Sequence, residues 1–237
     1  MNAALLTVGD ELLAGDTANT NATWLASELS DRGVTVERVL TVPDETDVIA
    51  DATRRYSDAF DAVIVTGGLG GTLDDVTMDA VAAAFDRGLV ENDLARADIE
   101  RHLEAVADDY PELDVDVSAE AAIPEGARPL INRAGLSPGC VLENVYVFPG
   151  IPSEMKRMFG SVSGEFNGEV DSRFLYTEEP EANLIDRLNE VRERFGIRVG
   201  CYPDREAGHN RLKISASDGE TLAEATAWLE ERVVLSE

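Results

Sequence analysis

Four glycines separate an apolar run from a helical pattern in the stretch VIVTGGLGGTLDDVTMDAVAAAF, residues 63–85. These are Gly67, Gly68, Gly70 and Gly71. Glycines between a strand and a helix let backbone N–H groups approach a phosphate closely, and the helix N-terminus adds a positive dipole. The spacing matches neither GxGxxG nor GxxxxGK[ST], so we predict neither a dinucleotide fingerprint nor a nucleoside-triphosphate loop. The residue types still favour an anion-binding loop.

Two aspartates, Asp74 and Asp75, directly follow these glycines, although phosphate is itself an anion. One interpretation is helix capping, because acidic residues in the first turn stabilise a helix by roughly 0.3–1 kcal/mol. The other is a functional role for the carboxylates beside the phosphate. The pair alone leaves both interpretations open.

Further carboxylates follow the first two apolar runs of the chain. Asp10, Glu11 and Asp16 come after the first run, and Asp44 comes after the second. Loops that leave successive parallel strands lie at the same edge of a sheet, so these carboxylates are expected to converge on the glycine loop. Mg²⁺ is usually held by one or two carboxylates together with phosphate oxygens. Acidic caps on three helices are the alternative, but the shared position favours a site for a metal and a phosphate.

The first two thirds of the chain alternate between strand and helix patterns. NAALLTV, VTVERVL and DAVIVTG predict strands. Helices are predicted at NTNATWLASELSDRG, PDETDVIADATRRYSD and DDVTMDAVAAAF. The helix in PDETDVIADATRRYSD is predicted to begin at Asp44 or Glu45. The charged segment NDLARADIERHLEAVADD predicts a further helix, and short strands then precede a helix at SEMKRMFG. Three strand–helix units in series predict an α/β fold, with a parallel sheet covered by helices on both faces.

A stretch of small and polar residues, SVSGEFNGEVDSR, marks a domain boundary. After it, RFLYTE, IRVGCYP and NRLKISAS predict strands, while EANLIDRLNEVRERFG and TLAEATAWLEERV predict helices. We therefore expect a first domain at residues 1–165 and a small α+β module at residues 172–237.

The formal net charge of −27 restricts the partners of the protein. Such a surface repels nucleic acid and anionic membranes, so we expect neither as a partner. No segment has the run of about 18 apolar residues that a membrane helix needs, and no secretion signal begins the chain, so we expect a cytoplasmic protein. Cys140 and Cys201 form no metal-binding motif. The abundant carboxylates and the presence of only two lysines are typical of proteins from organisms that keep molar salt in the cytoplasm.

Four motifs carry a resemblance to a known family. The motifs are VGDELLAGDTANTNATWLASEL, TGGLGGTLDDVT, INRAGLSPG and FPGIPSEMKRMF. They resemble the CinA family of competence/damage-inducible proteins, occur in the family's order and cover about residues 1–160. The resemblance implies a three-layer αβα molybdopterin-binding domain like those of MoaB and MogA, followed by a KH-type module. This module has neither a GxxG clamp nor a basic cluster, so nucleic-acid binding is not expected of it. The amidase activity of longer members is not expected either.

The resemblance also implies roles for individual residues. Asp75 and Asp44 match positions that serve magnesium binding and catalysis, and Asp10 and Glu11 complete the implied metal set. The implied ligand-binding residues are Gly67, Gly68, Gly70, Gly71, Thr72, Asn19, Asn21, Asn132, Gly135, Ser137, Gly139, Ser153 and Glu154. Three positions depart from the family: Asp10 replaces a common Thr, Gly71 a usual Pro, and Leu73 a usual Lys or Arg.

Three functions are consistent with these motifs. Some CinA proteins hydrolyse the pyrophosphate of ADP-ribose or related dinucleotides with Mg²⁺, Mn²⁺ or Co²⁺, and this is the activity that we expect here. A protein that binds molybdopterin or a nucleotide without turnover is the second function, and the loss of the basic residue at Leu73 favours it. A molybdopterin adenylyltransferase is the third. In each case the partner is a small phosphorylated molecule, and the resemblance implies a homodimer or homotrimer.

Overall fold

The chain folds into two compact units. The computed structural model describes residues 1–108, 110, 112–205 and 207–236. The first unit comprises Met1–Leu29 and Thr35–Phe166, and the second comprises Ser30–Val34 and Asn167–Glu237. The last residue of the helix predicted at 92–109, and positions 206 and 237 of the predicted second domain, lie outside the described residues. Among the described residues, no helix combines the length and apolar character needed to span a bilayer.

The first unit alternates strands and helices along the chain. Its strands are β1 Asn2–Val8, β2 Thr35–Val42, β3 Ala62–Thr66, β4 Leu89–Glu91, β5 Ala122–Pro124, β6 Arg128–Leu130, β7 Gly139–Leu142 and β8 Val145–Phe148. Its helices are α1 Asp10–Ala14, α2 Thr20–Asp31, α3 Thr46–Ala59, α4 Thr77–Ala84, α5 Asp93–Val106, α6 Val117–Glu120 and α7 Pro152–Val162. A 3₁₀ turn at Ser163–Glu165 follows α7.

The central sheet has the strand order β2-β1-β3-β8-β7-β6. Strand β1 is parallel to β2 and β3, and β3 is parallel to β8. Strands β7 and β6 continue the sheet in antiparallel pairings, and β4 pairs with β5 outside it. The α/β fold with a mostly parallel sheet is therefore confirmed.

Both faces of the sheet are buried. On one face, Leu6, Val8 and Val65 share a core cluster with residues of α3 and α4. On the other face, Phe148 of β8 packs edge-on against Phe159 of α7, with ring centroids 6.2 Å apart. This two-sided burial explains why the apolar runs of β1 and β3 are nearly continuous rather than alternating.

The local assignments differ from the sequence predictions in three places. The expected polar loop after β1 contains the short helix α1, and helix α3 begins at Thr46, slightly later than expected. Helix α4 begins at Thr77 with Val76 as its N-cap, and no side chain caps it. The capping interpretation of Asp74 and Asp75 is therefore wrong.

The second unit is a two-layer α+β module, as its pattern predicted. It contains β9 Asp171–Thr177, α8 Glu181–Phe195, β10 Arg198–Asp204, β11 His209–Ala216 and α9 Gly219–Glu230. The antiparallel sheet has the order β10-β11-β9. Side chains from one face of the sheet, including Leu175, Leu212 and Ile214, form a core with residues of α8 and α9.

Candidate functional site

The glycine loop occupies the carboxyl end of β3 and can be built only from glycine at its first two positions. Gly67 and Gly68 have φ values of +102° and +62°, a region that L side chains rarely adopt. A Cβ on Gly67 would overlap the carbonyl oxygen of Val8, and one on Gly68 would lie 2.5 Å from Thr77 Oγ1. The loop is thus held against β1 on one side and the start of α4 on the other.

Two cavities flank this loop. The first, about 220 Å³ in volume, is called here the acidic cavity. It is lined by Val8, Gly9, Glu11, Leu12, Thr17, Ala18, Asn19, Thr20, Asn21, Asp44, Thr66, Gly67, Gly68, Asp74, Asp75, Gly150 and Pro152. The second, about 810 Å³, is called the Glu120 cavity and has Gly70, Gly71, Thr72, Asp75, Glu120, Gly135, Ser137 and Glu154 among its lining residues. Asp75 lines both.

Negative charge accumulates around Asp44. The backbone N–H of Asp10 donates to Asp44 Oδ2 at 2.8 Å. Burial raises the pKa of Asp44, and the charges of Asp10, Glu11 and Asp74 raise it further, against the opposing effect of the Asp10 N–H. Of the described residues that line the acidic cavity, none is Lys or Arg. Any anion that enters therefore meets carboxylates without a basic side chain to offset them.

Asp75 forms hydrogen bonds within the glycine loop and so fixes its conformation. Its Oδ2 accepts hydrogen bonds from the backbone N–H of Thr72 at 3.1 Å and from Thr72 Oγ1 at 2.5 Å. A Cβ on Gly70 would lie 2.5 Å from the same carboxylate oxygen. On the side of the Glu120 cavity, burial raises the pKa of Glu120, and the charge of Asp75 raises it further.

Two asparagines fix the wall of the acidic cavity that faces the glycine loop. Asn19 Nδ2 donates to Thr7 Oγ1 at 2.9 Å, and Asn19 Oδ1 accepts from the N–H of Ala22 at the start of α2. Asn21 Nδ2 donates to the carbonyl oxygen of Gly150 at 2.6 Å. Among the described residues, Asn21 Oδ1 and Thr77 Oγ1 are buried without any hydrogen-bond partner.

Asn132 organises the loop on the far side of the Glu120 cavity. Its Nδ2 donates to Glu154 Oε2 at 2.7 Å and to the carbonyl oxygen of Ser137 at 2.9 Å. A Cβ on Gly135 would overlap the carboxyl group of Glu154. Asn132 is 2% exposed, so it positions Glu154 and the loop rather than facing a ligand itself.

The structure divides the predicted site residues into three groups. The acidic cavity is lined by Glu11, Asn19, Asn21, Asp44, Gly67 and Gly68. The Glu120 cavity is lined by Gly70, Gly71, Thr72, Gly135, Ser137 and Glu154. Asp75 lines both cavities. Asp10, Asn132, Gly139 and Ser153 line neither. Gly139 begins β7 and is required by packing, because a Cβ there would overlap Val147 O and Met158 Sδ.

The predicted metal set is not assembled as four converging carboxylates. Asp44 lies near Asp10, Glu11 and Asp74, whereas Asp75 is bound to Thr72 and acts on Glu120. Within the described part of the chain, no three His, Cys, Asp or Glu side chains are grouped so that they could hold a metal ion. From the sequence, Asp74 is considered together with Asp75 but a role is assigned to Asp75 alone, and neither Thr77 nor Glu120 is selected. The short helix α6 that carries Glu120 has no motif that would have identified it.

Family comparison covers nearly the whole chain. Residues 4–166 match the family described as "Probable molybdopterin binding domain", and residues 169–235 match the one described as "FAD synthase, middle domain". The second unit therefore matches the middle domain of FAD synthase and not the KH-type module that the resemblance implied. A small antiparallel sheet with helices on one face is common to many α+β modules, so the order of elements could not distinguish them.

Similar proteins occur in archaea and bacteria. A protein of Archaeoglobus fulgidus is 34% identical over 98% of this chain and 97% of its own length. A CinA-like protein of Frankia casuarinae is 43% identical over 98% of this chain, which spans 55% of that longer protein. The crystal structure of CinA from Thermoplasma acidophilum, a protein of unknown function, shares 33% identity and a TM-score of 0.61. It covers 70% of this chain and 97% of its own.

Proposed function

Because the chain belongs to the family of CinA-like proteins with a molybdopterin-binding domain, we propose that its acidic cavity binds the phosphate of a small molecule. The ligand that we propose is ADP-ribose or a related dinucleotide. The protein hydrolyses its pyrophosphate bond with the help of a divalent cation. Water supplies the attacking oxygen, and the products from ADP-ribose are AMP and ribose 5-phosphate.

The observation that carries this proposal is the combination of polar groups in one cavity. Backbone of Gly67 and Gly68, the carboxylate of Asp44 and the side chains of Thr17 and Thr20 line the same small space. Glycine backbone can approach a phosphate closely, and the threonine hydroxyls can exchange hydrogen bonds with hydroxyl groups of a ligand. A phosphorylated sugar or nucleoside has both groups.

The charge of the cavity supports the involvement of a cation. Burial, and then the charges of neighbouring carboxylates, raise the pKa of Asp44. The cavity has no basic lining residue in the described chain, so a phosphate alone is repelled. Asp44 and Asp74, with Glu11 beside them, fit a hard cation because one or two carboxylates suffice when phosphate oxygens complete its coordination. When bound, such a cation neutralises the phosphoryl oxygens. Since no three acidic side chains among the described residues are grouped to hold metal, we expect the cation to bind together with the ligand and not before it.

Asp44 and Asp75 have distinct roles in this proposal. The raised pKa of Asp44 brings its carboxylate nearer to the range in which it can accept a proton from an attacking water. Asp75 holds the glycine loop through Thr72, so it keeps the backbone N–H groups in place. Loss of Asp75 should therefore weaken ligand binding by loosening the loop, whereas loss of Asp44 should remove both the joint binding of cation and ligand and the turnover.

Binding without turnover is the second candidate function, and the position of Leu73 favours it. Leu73 is fully exposed in the glycine loop, at a position where the family resemblance implies a basic residue. A basic side chain there would stabilise negative charge that develops during phosphoryl transfer. Without it, the cavity can retain affinity for a cation–phosphate pair and still catalyse slowly.

The test is an assay of AMP release from ADP-ribose by the full-length protein with Mg²⁺, Mn²⁺ or Co²⁺ at high salt. We expect Asp44→Asn to lower the rate by about a hundredfold or more, as loss of a general base does. Asp51→Asn is the matched control, because Asp51 is an exposed aspartate on α3 outside the cavity. Equal rates for wild type and Asp44→Asn would reject hydrolysis at this site. Ligand binding without AMP release would establish the second candidate instead.

A further inference from the structure

The second unit has an open sheet face that is both aromatic and basic. On the inner face, Leu212 and Ile214 are buried beneath α8 and α9. On the outer face, the strand register places Tyr176, Arg211 and Tyr202 in one row across β9, β11 and β10. The next row contains Phe174, Lys213 and Gly200.

The three rings of this face are largely accessible. Phe174, Tyr176 and Tyr202 are 41%, 42% and 50% exposed. The ring of Tyr202 lies along its own strand over Gly200, since a Cβ on that glycine would be 2.8 Å from Tyr202 Oη. Glycine therefore leaves room for the tyrosine ring to lie on the sheet rather than stand away from it.

Arg211 lies between two of these rings. Its Cζ is 5.4 Å from the centroid of Phe174 and 5.8 Å from that of Tyr202. Tyr176 makes an edge-on contact with His209, with centroids 5.1 Å apart. In the part of the chain that the structure describes, no carboxylate forms an ion pair with Arg211.

A cavity of about 490 Å³ opens beside the first row of this face. This cavity is lined by Tyr176, Tyr202, Pro203, Asp204, Arg205, His209 and Arg211. Its volume lies within the range of roughly 300–1,000 Å³ that is typical of small-molecule sites. Flat rings offer stacking surfaces, and the arginines offer charge to an anion.

From this arrangement we propose that the aromatic face of the second unit binds a nucleoside phosphate. The base stacks on Tyr202 and Tyr176, and Arg211 and Arg205 contact the phosphate. Stacking on exposed rings tolerates any base because every base has a π-face. A nucleic-acid strand is a poorer fit, because the chain's charge of −27 repels a polyanion and the cations of this face are few. The site is separate from the acidic cavity and needs no metal.

The test is a titration of the full-length protein with AMP in the presence of EDTA, followed by NMR of the tyrosine and histidine side chains. We expect shifts of the Tyr176, Tyr202 and His209 resonances. We also expect an affinity that is about tenfold weaker in Arg211→Gln and in Tyr202→Leu, the usual size of a lost stacking or charge contact. Arg192→Gln, an exposed arginine on α8, is the matched control and should bind as wild type.

Several results would overturn the proposal. These are AMP binding of equal strength in wild type and Arg211→Gln, or no shift of these resonances at millimolar AMP. Binding of a short oligouridylate but not of AMP would also overturn it, because it would assign the face to a strand. Asp44→Asn should leave this titration unchanged, so the result does not depend on the proposed hydrolase activity.

Discussion

Gly68→Ala is the substitution that most sharply tests the construction of the glycine loop. Gly68 has φ +62°, and its added Cβ would lie 2.5 Å from Thr77 Oγ1 and 3.5 Å from Asp44 Oδ1. A left-handed conformation costs an L residue roughly 1–2 kcal/mol. Moving the buried Thr77 hydroxyl away from the new methyl group adds overpacking strain of about 1–3 kcal/mol. We expect the free energy of unfolding to fall by about 2–5 kcal/mol.

Thermal unfolding gives the most direct assay of this loss. At roughly 2–4 °C per kcal/mol for a protein of this size, the melting temperature should fall by roughly 4–20 °C. Gly88→Ala is the matched control, because Gly88 has an ordinary φ and a Cβ there meets no atom within 4 Å. It should be neutral or slightly stabilising. A Gly68→Ala protein as stable as Gly88→Ala would refute the loop geometry, since neither the strain nor the overlap could then exist.

The other predictions concern buried polar groups and charge. Asn132→Ala removes both hydrogen bonds of Asn132 Nδ2 and leaves Glu154 without that donor, so urea unfolding should show a loss of about 2–4 kcal/mol; a loss below about 0.5 kcal/mol would contradict it. Asp44→Asn should raise the melting temperature at pH 7. The folded pKa of Asp44 lies above its ordinary value, so the stabilisation that comes from its protonation is lost as pH rises through that pKa. The gain should vanish below about pH 4, and a gain that is independent of pH would count against this cause. Finally, the net charge of −27 predicts a melting temperature that rises with KCl, because salt screens self-repulsion.

The sequence predicts the fold well because its signals are strong and local. The apolar runs that became β1 and β3 are buried on both faces, and the periodic segments that became α2 and α3 expose a polar side. By contrast, β4 has only three residues and pairs with β5 across about 30 positions of chain. So short a strand has no periodicity of its own, and its existence depends on a distant partner.

The site is only partly predictable, because distances between loops are not encoded in local pattern. The carboxyl-end rule correctly brought Asp44 and Glu11 to the glycine loop. It could not distinguish Asp74 from Asp75, because the two residues are adjacent in a turn and their side chains have different neighbours. Asp74 acts on Asp44, whereas Asp75 is bound to Thr72. The aromatic face of the second unit was missed for a similar reason. Its rings and arginines come from three strands, so they form a cluster only when the sheet pairs Tyr176, Arg211 and Tyr202.

Calorimetric titration with ADP-ribose and Mn²⁺ tests the central claim, that the acidic cavity binds phosphate and a cation together. The described residues include no group of three metal-ligating side chains, and no basic side chain among them lines the cavity. We therefore predict little binding of Mn²⁺ alone, no metal-free binding of ADP-ribose at this cavity, and clear binding when both are present. That joint binding should be lost in Asp44→Asn but kept in Asp51→Asn. The same titration in a protein that carries Arg211→Gln and Tyr202→Leu removes the metal-free contribution of the aromatic face. Binding of ADP-ribose to that protein that is equally tight in EDTA, and unaffected by adding Asp44→Asn, would contradict the account.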